Sequence, residues 1–496
     1  MVSALICQWS ISGAICQRMT MNLHEWRQQA REGLARAERP GRTRRLWKQR
    51  RVRGLALVVA AMLPAGEAAA DTLVDALAQT YSSNPRLLAQ RASLRSTDEQ
   101  VPTALSSWRP TITMSGQAGY SDNTQEINGF REGDDLQQRS GAITINQPIT
   151  TGGGEFAQLE QAKHLVQAAR AQLFSTEQAV LLDAATAFAI VVRDTAVLQL
   201  SQNNERVLGE QLNATQDRFE VGELTRTDVA QAEARLAEAV SNRIQAEGVL
   251  TTSIANYEQV IGPLPAELVR PRALSGLPAT REEAIAIALA NNPDLAAAQF
   301  TLRAAEDAID RQIAVLLPTL SLQGEYSYGY ESSQPNLETR RGTILAQLSV
   351  PLYQSGAEYS ALRAARQTMS QRQSELDQTK RLVTEAVNAA WDQLKAAQAS
   401  ITSFQAQVRA QEIALEGTRQ ESTVGTRTVL DVLDAEQELF NAQVAVERSQ
   451  RDEVVATYTL AQAIGGLTAQ QLGLPVAYYD VTDHYEDVKD DWVGTR

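Results

Sequence analysis

Val424-Gly425-Thr426-Arg427-Thr428-Val429-Leu430-Asp431-Val432-Leu433-Asp434-Ala435-Glu436 has a counterpart 203 residues earlier, Val221-Gly222-Glu223-Leu224-Thr225-Arg226-Thr227-Asp228-Val229. Working outward from this pair, Pro148-Ile149 matches Pro351-Leu352 and Ile261-Gly262 matches Ile464-Gly465, both at the same spacing of 203. Towards the N-terminus, Asn84-Pro85 recurs as Asn292-Pro293, and Pro110-Thr111-Ile112 as Pro318-Thr319-Leu320, both at a spacing of 208. Landmarks in fixed order establish an internal duplication, which sets the fold before any single element is read. The five-residue change falls between Pro110 and Pro148, where the first copy has a longer polar loop.

Proline divides each copy. None occurs between Pro148 and Pro263 or between Pro351 and Pro475. Because proline costs about 3 kcal/mol inside a helix, these Ala/Gln/Glu/Arg-rich stretches read as helix. Leu159, Ala162, Val166, Ala169 and Leu173 form a seam by threes and fours, as do Leu362, Ala365, Met369, Arg372 and Leu376. Past the Val-Gly pairs the seam resumes as Val229, Ala232, Leu236, Ala239 and as Val432, Ala435, Leu439, Ala442, Val446. That is coiled-coil spacing, with small alanines allowing close approach. Residues 155–221 and 358–424 predict helices of 67 residues, about 100 Å each. Gly222 and Gly425 are placed to end them, since glycine takes the left-handed cap conformation freely. The returning segments 223–261 and 281–317 are shorter. They predict two helices stacked end to end beside each long one, giving an elongated helical tube with hairpin tips at the Val-Gly sites.

Between the helices the period changes to two. Ile112, Met114, Gly116, Ala118 and Tyr120 alternate with Thr111, Thr113, Ser115 and Gln117; Leu320, Leu322, Gly324, Tyr326, Tyr328 and Tyr330 alternate with Thr319, Ser321, Gln323 and Glu325. Ile143 and Ile145 flank Thr144, and Ile344, Ala346, Leu348 and Val350 complete a fourth strand. Strands of about 9–11 residues, apolar on one face and small-polar on the other, suit a transmembrane β-strand with a tyrosine girdle. A soluble sandwich hairpin pair would show the same alternation. Four strands cannot close a barrel, and an open edge in lipid leaves backbone groups unpaired. A dimer, trimer or tetramer would give eight, twelve or sixteen strands.

The 496 residues carry a net charge of −13, 43% hydrophobic and 21% charged residues, two Cys and three His. No run reaches the ~18–20 apolar residues of a membrane helix. The acidic balance argues against nucleic acid as a partner. RTRRLWKQRRVR at 42–53, the apolar run 54–63 and Ala68-Ala69-Ala70 read as a signal peptide, predicting a mature start at Asp71. Residues 71–496 then carry 34 basic and 55 acidic residues, a net of −21, and no cysteine, because Cys7 and Cys16 leave with the leader. Without disulfides, an exported chain holds together by packing or by membrane insertion.

A duplicated helix–strand–strand–helix chain with a signal peptide, turning at the motif of residues 424–436, resembles the TolC family of outer-membrane channel-tunnels over essentially all of 71–466. The resemblance implies a mixed α and β fold: a long α-helical coiled-coil tunnel in the periplasm, plus a transmembrane β-barrel completed by trimerisation with four strands per chain. It implies an exit duct seated in outer-membrane lipid. The duct would pass proteins or small toxic compounds from an inner-membrane ABC or proton-driven pump, joined through a periplasmic adaptor protein. The domains follow as a leader at 1–70, a first repeat at 71–266, a linker at 267–280, a second repeat at 281–466 and an acidic tail at 467–496. A soluble periplasmic coiled-coil adaptor or scaffold is the alternative reading.

By the same resemblance Asp431 and Asp434 line the narrow mouth as acidic rings. Their i,i+3 spacing puts both carboxylates on one helix face, and rings of Asp build cation-selective pores. Arg427 resembles a gating arginine with Asp228 and Thr227 as partners, while Val221-Gly222 and Val424-Gly425 resemble adaptor-docking tips. The family has a tyrosine two residues before the tip Val-Gly where this chain has Ser422, so the resemblance does not carry over that part of the gating network. The copies also differ: Gln231 stands opposite Asp434 and Leu224 opposite Arg427, which marks the second hairpin as the gating one and the first as fixed. Catalysis, cofactors and metals are not expected. Gly152-Gly153-Gly154 lacks the Lys-Ser/Thr of a phosphate loop and reads as a strand-to-helix turn, and His164 and His484 have no ligand cluster in sequence. The tail, with Tyr478-Tyr479 and an acidic run at 483–491, is either a strap against the middle of the tube or a solvated acidic end.

Overall fold

The computed structural model describes residues 72–265 and 267–494; the leader, its cysteines and the cleavage site before Asp71 lie outside the described residues. The first repeat runs α1 (Leu73–Ser83), α2 (Pro85–Asp98), α3 (Gln100–Leu105), β1 (Thr111–Ile127), β2 (Phe130–Thr151), α4 (Gly154–Glu220) and α5 (Arg226–Ile261). The second runs α6 (Arg281–Asn291), α7 (Pro293–Ala314), β3 (Thr319–Tyr330), β4 (Glu338–Ser349), α8 (Ala357–Thr423) and α9 (Val429–Ala463), and a short α10 (Asp483–Val488) lies in the tail.

Both long helices, α4 and α8, have 67 residues. Each closes on a glycine at φ +81°, Gly222 and Gly425. The N–H of the residue after that glycine reaches back five positions, from Glu223 to the Arg218 carbonyl and from Thr426 to that of Glu421. This is the Schellman closure, and it reverses the chain with the last carbonyls satisfied.

The helix predicted over 281–317 is in fact two. Asn292 is extended (φ −66°, ψ 124°), because a residue before proline is pushed out of the helical region. Its side chain caps α7 by accepting from the N–H groups of Asp294 and Leu295. Asn84 makes the same break between α1 and α2. Each asparagine also donates its Nδ2–H to the last turn of a returning helix: Asn84 to the Val260 carbonyl at 2.9 Å, Asn292 to that of Ala463 at 3.1 Å. These duplicated bonds are the joints by which α2 meets α5, and α7 meets α9, end to end.

The four strands form one antiparallel sheet in the order β1-β2-β3-β4. The polar segment read as a loop in the first copy is strand. β1 and β2 pair without interruption from Thr111↔Asn146 to Ile127↔Phe130, turning on Asn128 (φ 55°) and Gly129 (φ 83°). Positive φ at both positions gives the type I′ turn that matches strand twist. Since β3 joins β2 only up to Arg139↔Tyr330, the far end of this hairpin projects as a two-stranded ribbon about 30 Å long. Register places Ile112, Ile145, Gly324 and Ile344 in one row across the sheet, and Met114, Ile143, Tyr326 and Gly342 in the next. All the large apolar side chains of these rows are exposed. Thr113, Thr144, Glu325 and Thr343 share the opposite face.

The main core gathers Leu77 and Tyr81 of α1, Leu181 and Phe188 of α4, Tyr257 of α5 and Leu467 and Leu474 of the tail. Burying each such side chain is worth about 1.5–3 kcal/mol. The tail is fixed by polar bonds as well. The Ala469 N–H donates to buried Glu177 at 2.7 Å, and the Tyr479 N–H to the Tyr81 hydroxyl at 3.0 Å. From there it follows α4 back towards the sheet, where Tyr485 lies against Arg170 and beside Val101, Ala162 and Val166.

Beneath this segment Asp98 is 1% exposed, and neither of its carboxylate oxygens accepts a hydrogen bond. Burial pushes its carboxyl above the usual value against the pull of Arg170 and His484, with Glu99 adding to the rise. The folded state therefore holds the proton more readily than the unfolded chain, and stability falls as pH rises through the window between the two values. Asp98→Asn should melt higher than wild type at neutral pH, and the difference should close on acidification; thermal melts at the two pH values check this.

Candidate functional site

The tips are built by two matching caps. Thr225 opens α5 and Thr428 opens α9, each with a capping box. The Thr225 N–H and hydroxyl donate to one Asp228 oxygen at 2.9 and 2.7 Å, and the Asp228 N–H returns to the hydroxyl at 3.3 Å. The Thr428–Asp431 box repeats this at 2.9, 2.8 and 3.3 Å. Such a box satisfies orphan donors of the first helical turn. It holds both carboxyls below the usual range, through the Thr225 hydroxyl foremost for Asp228 and the Thr428 N–H foremost for Asp431.

Arg427 stays on its own hairpin. Its Nε–H donates to Glu421 at 3.0 Å, and Nη1 lies 3.9 Å from Asp431. The Glu421 hydrogen bond, with the charges of Glu421 and Asp431, raises the guanidinium further. A link from Arg427 to Asp228 or Thr227 is not among the contacts of the described residues: Asp228 is engaged by Thr225, and Thr227 is exposed.

The contact that crosses between hairpins is one the sequence did not single out. Arg235 of α5 donates from Nη2 to Asp434 of α9 at 2.6 Å, while its Nη1 holds Glu238 at 3.0 Å. Both bonds raise the guanidinium, Glu238 foremost. Beside this pair, Leu208 of α4, Ala232 and Ala239 of α5, and Val429 and Leu433 of α9 form a buried apolar cluster, with Leu224 against it. The difference between Leu224 and Arg427 thus has a packing reason, since Leu224 joins the cluster and Arg427 is solvent-facing. Arg419 pairs with nearly buried Glu436, tying α8 to α9 inside the second hairpin. At the extreme ends Val221 and Val424 are 73% and 74% exposed, large apolar side chains with no covering.

Both histidines among the described residues are engaged elsewhere. His164 Nδ1 is 2.6 Å from Asp307, between α4 and α7, and His484 Nε2 is 3.3 Å from Glu99. Among the described residues no group of three or more His, Cys, Asp or Glu side chains is placed to hold a metal ion.

Comparison with known proteins agrees in length and in topology. The profile of the Outer membrane efflux protein family matches residues 76–263 and 284–466, one stretch per repeat. The outer membrane efflux protein BepC of Brucella suis is 34% identical over 455 residues, covering 89% of this chain and 96% of that protein. The outer membrane protein TolC of Vibrio cholerae is 29% identical over 423 residues, covering 82% and 95%. In fold, the CmeC outer membrane channel of Campylobacter jejuni superposes with a TM-score of 0.73 at 15% identity, covering 84% of this chain and 89% of that one.

Proposed function

The chain belongs to the outer membrane efflux protein family, and from that premise we propose a working account of its duct and gate. It resides in the outer membrane, with the helical tunnel in the periplasm, and serves as the exit duct of a tripartite export system. The observation carrying this reading is the open four-stranded sheet with one exposed apolar face. In lipid, edges β1 and β4 must pair with other protomers. Eight strands would leave an interior that side chains fill; twelve, from three chains, leave a lumen lined by the Thr113, Thr144 and Thr343 face. A homotrimer is therefore the assembly we propose. An inner-membrane ABC or proton-driven pump would deliver proteins or small toxic compounds through a periplasmic adaptor.

At the far end, the Val221-Gly222 and Val424-Gly425 tips are the adaptor's docking points. Each presents an uncovered valine beside a glycine whose Cβ position is open space, so an apolar partner surface can approach the backbone. Asp431 and Asp434 supply the constriction's negative charge. In the closed state Asp434 is bridged to Arg235, and that bridge, with the Leu433–Ala232 cluster, is the latch between hairpins. Arg427 braces the gating hairpin from within through Glu421.

The test joins mass and conductance. Protein extracted from the outer membrane in detergent should run as three protomers, and a soluble periplasmic monomer or dimer would refute the duct. In planar bilayers, Asp431→Asn with Asp434→Asn keeps an acceptor oxygen for the cap and for Arg235 while removing the charge. Block by a trivalent cation should weaken by an order of magnitude or more; unchanged block overturns the acidic constriction.

A further inference from the structure

The C-terminal segment ends at the foot of the sheet. All four strands meet the helices at one end, near Thr111, Thr151, Thr319 and Ser349. There the Arg109 Nη1 donates to the Asp491 carbonyl at 2.6 Å, and the guanidinium lies 4.8 Å from the Trp492 ring centre. Arg109 is two residues before β1. Its neighbour Trp108 packs edge-on against Phe156 at 5.3 Å and accepts from Gln147 of β2 at 2.8 Å. The tail therefore leaves the helical core near Glu177, follows α4 for about 35 Å, and reaches the foot of β1.

What it delivers there is exposed and apolar. Trp492 is 67% exposed and Val493 91%. They join Phe156, Leu352, Tyr353 and Tyr359, all exposed at the same end of the sheet on α4, α8 and the connection before α8. Towards the opposite end the apolar face turns to tyrosine, with Tyr326, Tyr328 and, farthest out, Tyr120 exposed on it. Trp and Tyr concentrate at both boundaries of a bilayer, where an amphipathic ring spans apolar and hydrated layers. Barrels of the outer membrane carry such a girdle at each rim.

We propose that the tail of this chain is a membrane-interface anchor, seating Trp492 in the periplasmic leaflet of the outer membrane as part of the lower aromatic girdle. The proposal rests on the outer-membrane reading above and assigns the tail a partner, the lipid surface. Arg109 has two tasks in it: it fixes the indole over the foot of β1, and through the Asp491 carbonyl it ties down the acidic end of the tail. Tail and barrel are then coupled, because one arginine holds both.

Residues 71–496 contain three tryptophans, Trp108, Trp391 and Trp492, so the chain of residues 71–496 with Trp108→Phe and Trp391→Phe reports on Trp492 alone. Trimers of this variant would be reconstituted into phosphatidylcholine vesicles brominated either near the headgroup or near the acyl terminus. Flotation and resistance to urea extraction establish insertion independently of the fluorescence. The expected result is blue-shifted emission, quenched more by shallow than by deep bromines, and lost in the further Trp492→Phe variant. Inserted protein whose Trp492 emits as in water and is quenched by iodide overturns the anchor and leaves the duct standing. Blue-shifted emission indifferent to both brominated lipids places the ring against protein instead, and also overturns it. Failure to float refutes the outer-membrane reading itself. Arg109→Ala should shift the emission to the red in the inserted trimer.

Discussion

Ile344→Arg should abolish stable residence in the outer membrane, while Thr343→Arg, one residue away, should leave it intact. Ile344 sits in the row Ile112–Ile145–Gly324–Ile344, midway between the Leu320 end of the apolar band and its tyrosine end. It is 79% exposed in the single chain, so lipid is its surroundings once the barrel closes. A lipid-facing arginine at the bilayer midplane costs about 2–4 kcal/mol, and a closed trimer bears the cost three times. Thr343 points to the other face, where an added arginine meets lumen water. Membrane fractionation with urea washing, followed by unheated electrophoresis of the trimer, separates the outcomes. If both variants insert equally, or both are lost equally, the apolar face is not the lipid face.

That prediction was available from alternation alone, and the reason is physical. A strand with lipid on one side and water on the other must alternate strictly, so Ile112 to Tyr120 and Leu320 to Tyr330 disclose their orientation. The ribbon beyond them does not, because past Tyr330 it has no β3 neighbour and its polar sequence carries no apolar alternation. Only Asn128-Gly129 marked it as a hairpin, by its preference for positive φ at two successive positions. The 67-residue helices were legible from proline's exclusion and the two capping glycines, which are local effects. The break at Asn292 follows from Pro293 by an equally local rule. Residues 281–317 look like one helix only if the periodicity is followed across that proline.

Relations between elements were harder to read. Nothing in the spacing of Arg235 marks it, since its partner Asp434 lies 199 residues away and is selected by which faces of α5 and α9 meet at the cluster of Ala232, Val429 and Leu433. The tail was ambiguous for a related reason. Its acidic residues read as solvated, while the apolar contacts that fix it, Leu467, Leu474 and Val488, are too sparse to form a period.

Arg235→Glu should raise the resting conductance of the reconstituted channel by about tenfold to a hundredfold. The pair is partly exposed, 30% at Arg235 and 53% at Asp434, so each bridge is worth only about 0–1 kcal/mol. In the proposed trimer, three such bridges would bias the closed state by up to about 3 kcal/mol, or about a hundredfold in population. A reversed charge replaces attraction with repulsion between hairpins that Leu433 and Ala232 still hold together, so the channel should open without unfolding. Restoring the pair with opposite sense, Arg235→Glu with Asp434→Arg, should return conductance towards wild type. Arg427→Glu tests the competing latch. Because Arg427 spends its hydrogen bond on Glu421 of its own hairpin, its reversal should loosen the tip with a smaller rise in conductance. A larger rise from Arg427 than from Arg235 would move the latch to a contact between protomers. Salt provides the final discrimination, since a bridge at this exposure is screened as the Debye length falls from about 10 Å at 0.1 M to about 3 Å at 1 M. The gap between Arg235→Glu and wild type should therefore narrow at high salt. A gap that persisted would assign closure to the apolar cluster, and Leu433→Ala would then be the variant that opens the mouth.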